Sequence, residues 1–446
     1  LTAMSATLMG KQYDPLAATF PGAAVIRAFA VKDSDGTVTP LTTHTYFIGK
    51  AYTEWGVDMV SVSVNADEFI GKEGIYNTLR TDADGGHSHI PAYVEFFSPE
   101  GQSVHAGWSE IAMNGRGSLS MTQKSFRILL KSTVMDTEEV HENLNTLNYD
   151  LFKEYASTTP DGERVAWYRH ILLRNGGGDM SGSTISRSHI GDAYIQRLDR
   201  ILIPDVMAYA PVMTFINGEF WGVYNFRERY SPEYVESHYG VSKDNVTVIE
   251  SDYSQVHTNT NADFVVSSGI EGDQDPFNQM VQYMREHNLA DQQHYDYIAS
   301  QMDIDSFIDM WVVRLFYVAR DWPENNIKIW RNKNPDDPSG FDTKWHFTLL
   351  DLDMGLSYYD FTTEHENFFW AFDSNSVCGT MMRALMKNEG FKQKFILRYF
   401  DVVSNHFTPE YLNAMFDELY AERDPLMALH EGRWKENSNE RGVFSV

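Results

Sequence analysis

Asp321 and Asn326, five residues apart in "ARDWPENNIKIW" (Ala319–Trp330), pair a carboxylate that can orient an attacking hydroxyl with an amide that can ligate a divalent cation. Downstream, "WHFTLLDLDMG" ends in Asp351 and Asp353, two more hard oxygen ligands. Such a set suits Mg²⁺, an ion that completes its shell with substrate phosphates, so the chemistry it points to is phosphoryl transfer. Asp321, left off the metal, would position the acceptor hydroxyl or take its proton. For either half alone, a solvated rim of turn residues explains the same composition.

The surrounding pattern brings the two halves together. Ile304, Phe307, Ile308, Trp311, Val312, Leu315 and Phe316 recur at helical spacing and predict a core helix that ends near Ala319. A polar turn containing Pro323 follows, then a strand in "NIKIWRN", a loop in "KNPDDPSGFDTK" and a returning antiparallel strand in "WHFTLL". A hairpin sets the end of its second strand beside the start of its first, so the acids of "DLD" should stand next to Asp321 and Asn326. Three carboxylates gathered there raise one another's pKa unless a cation joins them. The acid-to-amide spacing is also that of the protein-kinase catalytic loop.

A phosphate-binding loop is available upstream in "NGRGSLSMTQKSFRILLK". Gly117, Ser118 and Ser120 lie in a turn between two strands, where backbone N–H groups can face phosphate oxygens, and Lys124 or Arg127 on the second strand can offset their charge. It is not a Walker A loop, because Lys124 follows too late and no helix opens there. An ordinary hairpin turn would read the same way.

Elsewhere, Asn217-Gly218 between apolar runs predicts a tight hairpin, and Ser231-Pro232 with Gly240 brackets a short helix. The first hundred or so residues read mainly as β, with hairpin turns at "DSDG" and "DADGG". His87 and His89 lack a third metal ligand at a suggestive spacing, and "RNGGGDMSGS" (Arg174–Ser183) has the default reading of a mobile loop. Residues 251–275 read as a linker or lid. The 42% hydrophobic content of 446 residues can bury a large core, and the length suggests two or three domains. A formal charge of −27 disfavours nucleic acid and anionic lipid as partners, so a nucleotide would need a locally basic pocket. One cysteine, Cys378, excludes an intramolecular disulfide, and no apolar run is long enough for a membrane span.

The ordered blocks "GRGSLSMTQKSFRILLK", "ILLRNGGGDMSGSTISRSHIGDAYIQRL", "FINGEFWGVYNFRERYSPEYVESHYG", "RDWPENNIKIWR" and "WHFTLLDLDMG" resemble the CotH family of spore-coat kinase-like proteins. The resemblance implies an α+β, protein-kinase-like two-lobed fold with a β-rich N-lobe and a mainly helical C-lobe, preceded by a short β segment. The corresponding domains are residues 1–48, 49–250 and 251–446. It implies ATP and Mg²⁺ or another divalent cation as cofactors, and transfer of the γ-phosphoryl group to Ser or Thr of secreted or surface proteins. By position, Asp321 matches the family's catalytic acid, Asn326 its metal-binding amide and Asp351 the acid of its Trp-Asp motif, with Leu350 in place of that tryptophan. Asp353 is the alternative metal ligand by its D-x-G spelling. Arg116 falls in the nucleotide loop and Glu228 where the family has a glutamate near the nucleotide. The expected location is extracellular or at the cell surface. A non-catalytic module of a coat or polysaccharide-degrading assembly is the rival expectation, and a glycosidase is disfavoured because acids at one hairpin end sit too close together.

Overall fold

The computed structural model describes residues 7–8, 11–12, 21–39, 41–48, 51–78, 88–130, 145–177, 189–251, 264–356 and 367–434. Nine strands among these residues form one sheet: β1 (Gly22–Ala28), β2 (Thr42–Ile48), β3 (Asp58–Val64), β4 (Ile90–Phe97), β5 (Ser103–Met113), β6 (Phe126–Leu129), β7 (His170–Arg174), β8 (Tyr209–Ile216) and β9 (Glu219–Arg227). Their order is β7-β6-β5-β4-β3-β8-β9-β1-β2, and β7 also pairs with β9, so β3 to β9 close into a barrel from which the β1–β2 hairpin projects. All pairings are antiparallel except β8 with β3.

Period-two alternation places the side chains. Val60, Val62, Val94, Ile111, Ile128 and Phe226 join one buried cluster, whereas Met59, Phe97, Met213 and Val223 join another with Leu426. At the β8–β9 turn both Asn217 (φ 50°) and Gly218 (φ 84°) take the left-handed backbone of a two-residue hairpin, as expected from their types. Asn217 also fixes the turn to β3, its side chain accepting from Val64 N at 2.8 Å and donating to Val64 O at 2.9 Å.

Helix α1 (Gly191–Asp199) connects β7 to β8, and α2 (Pro232–Tyr239) follows β9, capped by Ser231 and closed by Gly240 at φ 71°. A second sheet contains β10 (Val246–Ser251), β11 (Phe264–Ser268), β12 (Lys328–Asn332) and β13 (His346–Phe347), in the order β11-β10-β12-β13. Thus Phe264–Ser268, inside the stretch read as linker or lid, is a strand. Helix α3 (Ile304–Phe316) packs its predicted face against this sheet: Phe307, Ile308 and Trp311 share one buried cluster with Ile249, Ile329 and Phe347. On the opposite face, Val248 and Trp330 cluster with Leu172 of β7 and Met207, which joins the sheet to the barrel.

The mixed α+β class agrees with the sequence. A clear two-lobed kinase arrangement is not what the structure displays, because the β-rich part is a closed barrel and the final helix, α4 (Pro409–Trp434), returns to it. Arg433 Nε donates to Phe220 O at 3.0 Å, Trp434 Nε1 to Trp221 O at 3.1 Å, and Val223 N to His430 Nδ1 at 3.2 Å. Polar backbone of β9 is therefore satisfied by the C-terminal helix, and burial favours keeping the two parts in contact.

Candidate functional site

A cavity of about 570 Å³ opens where the barrel, the second sheet and the loop after α3 meet. Asp321, Asn326, Asp351 and Asp353 all line it, so the predicted hairpin brings its two ends together. Three of these residues have left-handed backbone: Asp321 at φ 58°, Asn326 at φ 56° and Asp351 at φ 53°. Asp and Asn tolerate that region better than other non-glycine residues, and strained backbone of this sort tends to gather at functional sites. The loops are held by Arg314 at the end of α3, whose side chain is fully buried and donates to Asn326 O at 2.7 Å and to Leu350 O at 2.8 Å. Burial pulls its pKa down to about 10. Arg320 N donates to Met354 O at 3.1 Å, a further tie between the same segments.

Each acid has a defined neighbour. Asp321 is exposed, and its Oδ2 accepts from Asn325 Nδ2 at 3.0 Å and Asn326 Nδ2 at 3.1 Å. Arg174, at the end of β7, donates through Nη2 to both Asp351 Oδ1 and Asp353 Oδ2, the latter at 2.8 Å. Burial works against the guanidinium charge, yet Asp351, Asp192 and Asp353 raise its pKa above the ordinary arginine value. Behind this bridge, Asp192 of α1 accepts from Arg227 Nη1 at 2.6 Å and from Leu352 N at 2.8 Å, fixing the middle of "DLD". Burial would raise the pKa of Asp192, but Arg227 and Arg174 hold it below the usual carboxylate range.

The other wall is cationic. Arg116, Arg127, Arg229 and Lys328 line it, together with Glu250. Lys328 on β12 stands opposite Glu250 on β10, and Nζ lies 2.9 Å from Glu250 Oε2. Burial lowers the Lys328 pKa, an effect that Glu250 opposes; burial raises that of Glu250, but Lys328 and nearby arginines bring it below the ordinary value. Beside the Lys328–Glu250 pair stand Arg116, Arg127 and Arg229, a cluster of positive charge in a protein whose formal charge is −27. A local excess of that sign in an acidic chain suits a polyanionic ligand.

The remaining predicted residues divide. Gly117 and Ser118 line the cavity with Arg116, in the single turn Gly117–Ser120 that also contains Ser120. Lys124 points elsewhere: its ammonium donates to Leu119 O and, at 2.9 Å, to Met121 O, so it fastens the turn from within. Glu228 is buried away from the cavity lining, accepting from Ala208 N at 2.9 Å and standing 3.1 Å from His238 Nε2. His89 joins Arg127 at 2.8 Å to Glu110 at 3.1 Å, whereas His87 lies outside the described residues. Arg174, Arg229, Glu250 and Lys328 are the charged cavity residues that sequence reasoning missed. Lys328 carried one signal, a lysine flanked by Ile327 and Ile329 in a strand with buried character. Arg174 stood at the head of a glycine-rich run read as a loop.

Among the described residues, no group of three or more His, Cys, Asp and Glu is arranged to hold a metal by itself. The cavity nevertheless offers oxygen donors only, from Asp351, Asp353 and Asn326, a set that fits a hard divalent cation whose shell is completed by phosphate oxygens. No helix among the described residues is long and apolar enough to cross a membrane.

An acid-and-amide loop and a set of basic side chains thus line one cavity on a mixed α+β scaffold. The chain belongs to the CotH family, described as CotH kinase protein, which it matches over residues 111–443. No curated protein matches it.

Proposed function

We propose that this protein is a phosphotransferase that moves the γ-phosphoryl group of ATP to serine or threonine hydroxyls of secreted or surface proteins. The observation that carries this reading is the confrontation, across one cavity, of Asp321, Asn326 and the "DLD" acids with Arg116, Arg127, Arg229 and Lys328. The barrel would take the part of a nucleotide lobe, and the second sheet with its helices the part of the lobe bearing the acids.

In this reading the arginines and the Gly117–Ser118 backbone receive the phosphates, and Lys328, oriented by Glu250, adds a fixed positive charge beside them. Asp351 and/or Asp353 with Asn326 would hold a divalent cation, which would neutralise charge on the transferred group. Asp321 is the exposed acid at the edge of the cavity, where it can accept a hydrogen bond from the acceptor hydroxyl and take its proton. Asn325 and Asn326 hold its Oδ2, which leaves Oδ1 to face the acceptor. Catalysis is then mostly positioning and electrostatics.

Radiolabel transfer from γ-labelled ATP to casein-like or serine-rich acceptors tests the reading. The wild type should transfer label, and Asp321→Asn should lower the rate by roughly 10³-fold; transfer that survives the substitution would remove Asp321 from this role. The contact of Arg174 with both "DLD" acids favours a second reading, a non-catalytic module of a coat or polysaccharide-degrading assembly. Calorimetry with ATP and Mg²⁺ separates the two, since the second predicts no heat of binding.

A further inference from the structure

Strand register gathers a set of polar side chains on the outer face of the barrel. Glu110 on β5 and His170 on β7 both stand opposite Leu129 of β6, and Ala112 and Leu172 both stand opposite Arg127. Alternate residues of a strand share a face, so Glu110, Arg127 and His170 share one, while Ile111, Ile128 and Ile171 fill the barrel core on the other. Pro91 of β4 stands opposite Glu110, which brings His89, two residues earlier, to the same face. Ladder bonds fix where Arg127 leaves its strand, but the guanidinium at the end of a long side chain needs a further partner. His89 supplies one: Arg127 Nη2 lies 2.8 Å from His89 Nε2, and His89 Nδ1 lies 3.1 Å from Glu110 Oε2.

A guanidinium only donates, so Nε2 must accept and the ring proton sits on Nδ1, pointing at the carboxylate. His89 therefore holds Arg127 as a neutral group. This matters for an anion site. A carboxylate bonded directly to the fork would cancel the charge that a phosphate is to meet, whereas a neutral imidazole fixes the fork and leaves its charge in place. The same device recurs at Arg229, whose Nη1 is 3.4 Å from His170 Nδ1. Burial and the charge of Arg229 outweigh Glu233, 3.7 Å away, and push the His170 pKa well below the ordinary histidine value, so that ring is neutral too. Both arginines line the cavity. We propose that His89 is a positioning residue for phosphate binding, locked by Glu110 in the tautomer that aims Arg127 at a polyphosphate. Arg127 is the residue that touches the ligand, and His89 and Glu110 act through it.

The proposal rests on the phosphotransferase reading for the presence of phosphates in the cavity, so the probe is tripolyphosphate alone, titrated by calorimetry into the full chain with EDTA present. The wild type should bind it. His89→Leu, which removes the acceptor, should weaken binding by about tenfold, and His89→Gln, whose side-chain oxygen can take the same hydrogen bond from Arg127, should stay within about twofold of the wild type. Glu110→Gln removes a negative charge behind an anion site, so charge alone predicts tighter binding; loss of the tautomer lock predicts severalfold weaker binding, and in the His89→Gln background no weakening. Long-range ¹H–¹⁵N spectra of the histidine-labelled protein, with His89 assigned by its absence from His89→Gln, should show the proton on Nδ1 at about pH 8. A proton on Nε2, equal losses in the Leu and Gln variants, no loss in His89→Leu, tighter binding by Glu110→Gln in the wild-type background, or no tripolyphosphate bound by the wild type would each overturn the proposal. Circular dichroism of every variant separates misfolding from lost binding. Should no label pass from ATP while the tripolyphosphate series behaves as expected, the phosphotransferase reading fails and the role of His89 stands; label transfer at an unchanged KM for ATP in His89→Leu gives the reverse.

Discussion

On one wall of the cavity, part of the charge is mounted on strands, with Arg127 on β6 and Lys328 on β12 opposite Glu250 on β10, while Arg116 and Arg229 lie outside the strand ranges. On the other it is mounted on loop residues in left-handed backbone, Asp321, Asn326 and Asp351. A strand residue is held by ladder hydrogen bonds on both sides and needs no special partner. A loop residue of this kind needs a side chain reaching in to hold its backbone, and here Arg314 and Asp192 do so through three bonds. The acid wall should therefore be vulnerable to single substitutions far from any ligand, whereas the cationic wall should lose binding without losing structure.

The largest effect is expected from Arg314→Met. It removes a buried charge and leaves the carbonyls of Asn326 and Leu350 without their donor, at a cost of about 3–5 kcal/mol. Urea denaturation measures it, and a loss below about 1 kcal/mol would mean that other contacts hold the loops. Gly177→Ala comes next. Its Cβ would collide with Asp353 Oδ2 in a backbone conformation alanine resists, and about 2–3 kcal/mol is expected. The same denaturation series checks it, with a native-like melting temperature as the contrary result.

A smaller and pH-dependent effect belongs to His346 on β13, which lies between Asp342 at 2.9 Å and Asp303 at 3.4 Å. Burial would lower its pKa, but hydrogen bonds to the two aspartates raise it to about 9. Burial opposes the charge of Asp303 and Asp342 as well, and their bonds to His346 and to backbone N–H groups hold both below the ordinary carboxylate value. A histidine whose pKa is raised on folding contributes stability that is complete below about pH 6.5 and is lost as pH climbs towards 9. The aspartates contribute above their unfolded pKa, near 4, and lose that contribution as pH falls further. Stability from this cluster should peak between about pH 4 and 6.5, and on the order of 2 kcal/mol should disappear by pH 9. In His346→Asn the slope between pH 6.5 and 9 should flatten; an unchanged slope would assign the dependence to other groups.

Much of this could be read from local pattern. Asn217-Gly218, the Ser231-to-Gly240 helix and the apolar face of α3 each declare themselves within a few residues, because turn chemistry and periodicity are local. The joining of Asp321 to Asp351 followed from one hairpin. What lay beyond reading was set by contacts between distant segments. Closure of the barrel depends on Leu172–Arg174 pairing with Asn225–Arg227, and no motif announces it. Glu250 meets Lys328 only through the register of two strands far apart in sequence. Lys124 has the right type and position for a phosphate ligand, but side-chain direction is decided by the carbonyls of Leu119 and Met121, which offered it a nearer partner.

The smallest effect, and the one that bears most directly on the contrast between the walls, concerns that Lys328–Glu250 pair. If the cationic wall acts through charge on a rigid frame, its two members should respond in opposite directions. Lys328→Met removes a cation beside the arginines and should weaken metal-free ADP binding by about tenfold. Glu250→Gln removes the competing carboxylate, leaves the strand ladder intact and should tighten ADP severalfold. Both variants should keep the native fold by circular dichroism, since their backbones are held by neighbours on both sides, although each leaves a part-buried charge without its partner. Equal weakening in the two would instead mean that the pair matters for its geometry, and that the strand-mounted wall depends on specific side-chain contacts as much as the loop-mounted one does.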